Sequence, residues 1–193
     1  MLRVIVGLGN PGADHARTRH NAGFWFADRA AAKFGGEFRK EARFHGALAD
    51  ITVAGQRLFV LKPATYMNGS GRAAQALMAF HKLEPGELLV VHDELDLPAG
   101  AARLKIGGGH GGHNGLRDLH AQIGPDYRRL RIGVGHPGEK HLVTNYLTSG
   151  RPSAEDRKLI DEAIDAAVET LPLALENWDK ATQLLHSRPV ADI

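Results

Sequence analysis

The sequence predicts a single globular α/β domain in which a twisted, mixed and mostly parallel sheet is flanked by helices. Short β-branched runs alternate with segments whose apolar residues recur at helical spacing. No repeat, linker or low-complexity stretch interrupts that alternation, and 193 residues with 43% hydrophobic content suit one domain with a proper core. The domain is expected to span residues 1–193, with 187–193 as a loose tail.

Residues 2–8 read as a buried strand that Gly9-Asn10-Pro11-Gly12 turns into a tight loop. Across 21–34, Phe24, Ala27, Ala31 and Phe34 fall at helical spacing with Trp25 beside them, and Gly35-Gly36 supplies the stop. Strands are expected at 43–53 and 56–62, separated by a turn at Ala54-Gly55 and closed by Pro63. Asn68 or Ser70 is then placed to cap a helix with an apolar stripe of Ala73, Leu77 and Phe80, which Pro85-Gly86 ends. Residues 87–92 form a central-strand pattern running into Asp93-Glu94-Leu95-Asp96. A strand near 103–106 enters the glycine-rich stretch 107–115, from which a short helix starts at His113-Asn114. Another strand covers 128–134, and 154–168 has a helical apolar face that Pro172 breaks or restarts.

This order places Asn10, Asn68, Asp93, the glycine loop and His136 at or after the C-terminal ends of strands, the edge where open α/β sheets bind ligands. Convergence of these polar residues on one crevice is the expectation.

Cysteine is absent, which removes disulfides, thiolate nucleophiles and cysteine-ligated metal centres, and fits a reducing, cytoplasmic setting. The apolar stretch before Gly7 is too short for a signal peptide or a membrane span. Net charge is only +2, but it is uneven. Lys and Arg outnumber Asp and Glu in 1–82 and in 103–140, whereas 83–102 has no cation and 141–193 is acidic. Either a polyanionic partner or a solvated mixed surface accounts for that distribution.

Gly7-Leu8-Gly9-Asn10-Pro11-Gly12 has the glycine spacing of a dinucleotide fingerprint, but no amphipathic helix opens at the third glycine. An acid-terminated second strand is also missing near residue 30. His20 precedes the first helix. Alone, it suits a helix cap or a bond to a backbone carbonyl as well as catalysis; a carboxylate behind it, Asp93, would fix its tautomer and stabilise its protonated form. No Gly-x-Ser-x-Gly elbow or cysteine supplies a nucleophile, so water remains. A magnesium site at Asp93, Glu94 and Asp96 is opposed by strand alternation. Zinc on His110, His113 and His136 is opposed by the flexible glycine backbone between the first two.

Glycine fills most of 107–115, letting backbone N–H groups approach an oxyanion or phosphate. Asn10, Asn68 and Asn114 can each donate and accept without titrating, which suits a peptide carbonyl or a developing oxyanion.

Taken together, these segments resemble bacterial-type peptidyl-tRNA hydrolase from end to end. The resemblance runs through Val6-Gly7-Leu8-Gly9-Asn10-Pro11-Gly12, Thr18-Arg19-His20-Asn21-Ala22-Gly23, Lys62-Pro63-Ala64-Thr65-Tyr66-Met67-Asn68 and His92-Asp93-Glu94-Leu95-Asp96. The glycine loop and Arg131-Ile132-Gly133-Val134-Gly135-His136-Pro137 complete it. It implies hydrolysis of the ester between a peptide and the 3′-terminal adenosine of tRNA, with His20 as general base and Asp93 holding it. Asn10 would distinguish an N-blocked peptidyl group from a free aminoacyl group. Asn68 and Asn114, with Tyr66 and Met67, would bind substrate, while Lys105 and Arg131 would hold the tRNA 5′-phosphate. No cofactor or metal is implied. The partner is peptidyl-tRNA, no membrane is involved, and the protein is expected to be a cytoplasmic monomer.

His15 stands where the family usually has tyrosine, so a smaller, titratable ring is expected to contribute less contact with the terminal nucleotide. Residues 137–150 are expected to form a flap beside the peptide channel. A non-catalytic RNA-binding module and a nucleotide-dependent oxidoreductase are the alternatives.

Overall fold

Seven strands join in one sheet: β1 (Val4–Gly7), β2 (Arg39–Glu41), β3 (Gly46–Val53), β4 (Gln56–Pro63), β5 (Leu88–Glu94), β6 (Ala102–Ile106) and β7 (Arg128–Gly133). Their spatial order is β2-β3-β4-β1-β5-β7-β6 in the computed structural model, which describes residues 1–190. The pairs β1–β4, β1–β5 and β5–β7 are parallel, whereas β3 and β6 run against their neighbours. β2 is antiparallel to β3 and so shares the common direction. The sheet is therefore mixed and mostly parallel, as its sequence pattern predicts.

Among the described residues six helices flank it: α1 (Ala22–Lys33), α2 (Ser70–His81), α3 (Asn114–Ile123), α4 (Val143–Thr148), α5 (Ala154–Glu176) and α6 (Trp178–His186). Alternation along the strands divides the core. Ile5, Leu89, Val91, Leu130 and Ile132 pack with α1, α5 and α6, while Val4, Val6, Leu88 and Val90 pack with α2 and α3. No helix among the described residues is long and apolar enough to cross a membrane.

Gly7 at the end of β1 and Gly23 in the first turn of α1 serve packing. A Cβ on Gly23 would lie inside van der Waals contact of the Leu8 and Val91 backbones, and one on Gly7 would meet the Gly23 carbonyl. Helix α1 thus sits directly on β1 and β5, bringing its N-terminal turn to the strand edge.

Several local expectations are corrected. Gly69, not Asn68 or Ser70, is the N-cap of α2, and Ser70 donates its hydroxyl back to the Met67 carbonyl at 2.7 Å. The Asp118 carboxylate of α3 instead accepts from the Gly71 and Arg72 N–H groups, supplying a carboxylate at that helix terminus. The buried stripe of α2 is Ala73, Ala74, Leu77 and Met78; Phe80 falls on its margin and stays exposed. The helix ends before Pro85-Gly86, with Lys82 left-handed at its C-cap, and Pro85–Glu87 forms a separate 3₁₀ turn. Pro172 lies inside a continuous α5, and the break comes at Asn177, whose side chain caps α6. In the expected tail, Arg188 donates to the Gly100 carbonyl at 3.0 Å, while 191–193 lie outside the described residues.

Because β6 is antiparallel, the glycine loop leaves the edge opposite to the other functional loops and must cross the sheet face to reach them. Gly107, Gly108, Gly111 and Gly112 take positive φ along that path. The buried Arg129 guanidinium on β7 donates to the Gly108 and Gly109 carbonyls and so fastens the crossing.

Candidate active site

His20 lies in a one-turn 3₁₀ helix, Arg19–Asn21, that leads into α1. Its imidazole is buried, with Nδ1 2.8 Å from Oδ2 of Asp93 near the end of β5. The second carboxylate oxygen, Oδ1, is 2.8 Å from Nε2 of His113. His113 is also the N-cap of α3, where its Nδ1 accepts from the Gly115 and Leu116 N–H groups. This cap decides the protonation pattern. With Nδ1 accepting, the neutral His113 ring carries its proton on Nε2 and donates it to Asp93. Asp93 therefore accepts from an imidazole on each side, and His20 donates from Nδ1, leaving its Nε2 lone pair free to take a proton.

The electrostatics agree. Burial works to raise the Asp93 pKa, but the facing charges and hydrogen bonds of His20 and His113 hold the carboxyl well below the usual carboxylate range. For His20, burial disfavours the charged form, and the neighbouring Asp93 charge with its hydrogen bond outweighs it, raising the pKa. His92, buried next in the chain, donates from Nδ1 to the Asp93 carbonyl at 2.8 Å. Burial, followed by His113 beside it, keeps His92 neutral.

Asn10 is fixed from two sides. Its backbone N–H donates to the Asn21 side-chain oxygen at 2.8 Å, and its carbonyl accepts from Asn21 Nδ2 at 3.0 Å. Its own Oδ1 accepts from the Met67 N–H at 2.7 Å. That leaves the Nδ2 protons of Asn10 for a ligand acceptor. Met67 is buried, and its sulfur occupies the space that a Cβ on Gly115 would need. Asn10, Met67 and the start of α3 are thereby joined behind one surface. Tyr66 is exposed with φ 61°, a strained value for a non-glycine residue, and its ring meets His15 edge-on at 6.3 Å. Asn68 and Asn114 are exposed beside Met67 and His113.

Lys105 and Arg131 lie apart from this cluster, on the sheet face opposite α5 and α6. Cross-strand register pairs Arg103 with Arg131 and Lys105 with Arg129, so all four cations share that face. Arg131 Nε also donates to Glu94 at 2.9 Å, which partly neutralises it. Four cations of residues 1–82 are held in ion pairs, Arg29–Asp165, Lys62–Asp28, Arg57–Asp50 and Arg43–Glu41, of which only the first draws on an acid outside that segment. His136 stays exposed in a turn, accepting from the Gly138 N–H.

His20, Asp93 and His113 each bring one ligand atom within 4.8 Å of the others, the donor set of a two-histidine, one-carboxylate metal site. A metal there would need His113 Nε2 to give up its proton while Nδ1 still accepts from two backbone N–H groups. The ring would then be an imidazolate. Hydrogen bonding therefore favours protons over a metal at this cluster.

A sequence model described as Peptidyl-tRNA hydrolase matches residues 4–192. The chain belongs to the peptidyl-tRNA hydrolase family. It is 48% identical to the peptidyl-tRNA hydrolase of Neisseria gonorrhoeae over 189 residues, covering 97% of this chain and 98% of that protein. It is 52% identical to the enzyme of an Azoarcus species over 190 residues, covering 97% and 85%. The crystal structure of the Acinetobacter baumannii peptidyl-tRNA hydrolase superposes with a TM-score of 0.95 at 42% identity, covering 98% of this chain and 97% of that one. Peptidyl-tRNA hydrolase activity, the cleavage of an ester bond, is accordingly the activity of this chain.

From sequence alone His113 stands out as a zinc candidate at a helix start and Asn21 only as part of a motif. Their roles depend on contacts across the fold. The local signal for His113 was its position immediately before a predicted helix, where an acceptor side chain caps the N-terminus.

Proposed function

We propose that His20 is the general base of a metal-independent hydrolysis in which water attacks the ester carbonyl joining the peptide to the 3′-terminal adenosine. The observation that carries this reading is the Asp93 carboxylate held between His20 and His113, which leaves a free lone pair on His20 Nε2. Water gives a proton to Nε2 as its oxygen bonds to the carbonyl carbon, and the carbonyl oxygen becomes an oxyanion. When the tetrahedral intermediate collapses, the bond to the ribose oxygen breaks and His20 returns the proton to that oxygen. Free tRNA and the peptide acid leave. Asp93 stabilises the imidazolium in between.

Asn10 Nδ2, held facing outward by Met67 and Asn21, donates to the substrate carbonyl that an N-blocked peptidyl group carries and a free aminoacyl group lacks. Asn68 and Asn114 bind the substrate backbone, and Tyr66, Met67 and His15 flank the terminal nucleotide. Lys105 and Arg131 receive the 5′-phosphate on the basic sheet face, where Arg103 adds to the field. A single chain supplies every one of these residues, which supports reading the protein as a monomer, and the absence of cysteine fits a cytoplasmic setting.

Hydrolysis of N-acetylated and unblocked aminoacyl-tRNA by wild type and Asn10→Ala, with chelator present, tests the reading. Wild type should cleave the blocked substrate in chelator and spare the free one, and Asn10→Ala should narrow that preference. Equal wild-type rates on both substrates, or loss of all turnover in chelator, would contradict it.

A further inference from the structure

Segment 137–150, where a flap is expected, is mostly exposed, and two neighbouring residues in it tie it down. Leu147 enters the core, while Tyr146 contacts the turn that carries His20. The Arg19 guanidinium lies 3.7 Å from the centre of the Tyr146 ring, and its Nη1 donates to the Tyr146 carbonyl at 3.1 Å. The Arg19 backbone N–H donates to the Gly150 carbonyl at 3.1 Å, closing the far end of the segment onto the same turn. Among the described residues no carboxylate lies within ion-pair distance of Arg19. Its charge is committed to the aromatic face and to backbone carbonyl oxygen. On the other side, the Tyr146 hydroxyl donates to the Val134 carbonyl at 2.7 Å, and the Val134 N–H donates to the Glu94 carbonyl at 3.0 Å. Tyr146 therefore bridges the residue before His20 and the strand end that carries Asp93.

We propose that Arg19 and Tyr146 are positioning residues: they fasten segment 137–150 to the two backbone segments that present His20 and Asp93, and so hold the His20 imidazole in register with the Asp93 carboxylate. Neither residue touches the reacting atoms. The proposal rests on His20 being the base. The charged and titratable groups facing His20 are Asp93 from β5 and His113 from the glycine loop, with Arg19 on its own turn. Loosening the His20–Asp93 bond removes what raises the His20 pKa and leaves burial, which lowers it.

The test is the pH dependence of kcat and KM for Tyr146→Ala, Tyr146→Phe and Arg19→Lys on N-acetylated aminoacyl-tRNA, with thermal melts alongside. Tyr146→Ala should lower kcat about tenfold through misplacement of the base and move the acid limb of kcat/KM to lower pH. Tyr146→Phe keeps the ring beneath Arg19 but loses the hydroxyl bond to Val134, so its rate and acid limb should fall between those of wild type and Tyr146→Ala. If Tyr146→Ala does not fold, Arg19→Lys, which loses the planar stack but keeps the charge, should show the same limb shift. A lowered Tm with unchanged kinetics, or a KM effect with an unmoved acid limb, would overturn the proposal. His20→Ala separates the two layers. Its retaining full activity would refute the base assignment, whereas its inactivity with an unmoved limb in the Tyr146 variants would refute the positioning role alone.

Discussion

Asp93→Asn tests the protonation pattern because the two imidazoles constrain the replacement amide differently. His113 cannot change tautomer without placing an N–H against the Gly115 and Leu116 N–H groups, so it goes on donating from Nε2 and claims the amide oxygen. The amide NH2 must then face His20 Nδ1, which becomes the acceptor, and the His20 proton moves to Nε2. A base protonated at the reacting nitrogen cannot take a proton from water. The loss expected for a catalytic histidine in the wrong tautomer is on the order of 10⁴ in rate, about 5.4 kcal/mol of barrier. Stability should change much less, by about 1 kcal/mol, since both hydrogen bonds persist in neutral form. Single-turnover hydrolysis of N-acetylated aminoacyl-tRNA measures the first effect, and ¹⁵N NMR of the imidazoles reads the His20 tautomer directly. Adding His113→Ala should recover at least part of the rate, because the amide is then free to turn its oxygen to His20. An Asp93→Asn enzyme within tenfold of wild type, or one whose His20 keeps its proton on Nδ1, would refute this reasoning.

The raised His20 pKa gives a sign for pH. Below it the base is protonated and idle, so kcat/KM should climb with pH through a midpoint above the ordinary imidazole value of about 6.5. The same pair stabilises the fold fully below that ordinary value, and the contribution fades as pH rises through the folded one, which melts of wild type against His20→Ala will register. Gly23→Ala should cost about 1–3 kcal/mol in chemical denaturation and lower activity with it, because the added methyl meets the Leu8 and Val91 backbones rather than a side chain that can move. Lys105→Ala should raise KM and flatten the dependence of log(1/KM) on log[salt] by about one, leaving kcat near wild type, as measured over a salt series.

Much of the fold was legible because its signals are local. The buried runs of β1 and β5, the spacing of α1 and the Ala54-Gly55 turn between β3 and β4 all carry their pattern in neighbouring residues. β2 was missed because Arg39-Lys40-Glu41 has no apolar alternation and exists only as an edge partner of β3. The six-residue α4 was missed because so short a segment has too few turns for an apolar stripe to show. The direction of β6 is not written in its own residues, and only its antiparallel pairing with β7 sets the path of the glycine loop. In the site, Asp93 behind His20 could be argued from chemistry. The second imidazole could not, since nothing in the sequence says that the N-cap of α3 and the end of β5 meet.

The central claim is that His20 removes the proton from the attacking water, and single-turnover cleavage of N-acetylated aminoacyl-tRNA by wild type and His20→Ala, in chelator, tests it most directly. The account predicts a loss on the order of 10²–10⁴ in the cleavage rate with tRNA binding retained. A His20→Ala protein that cleaves within a few-fold of wild type would contradict it.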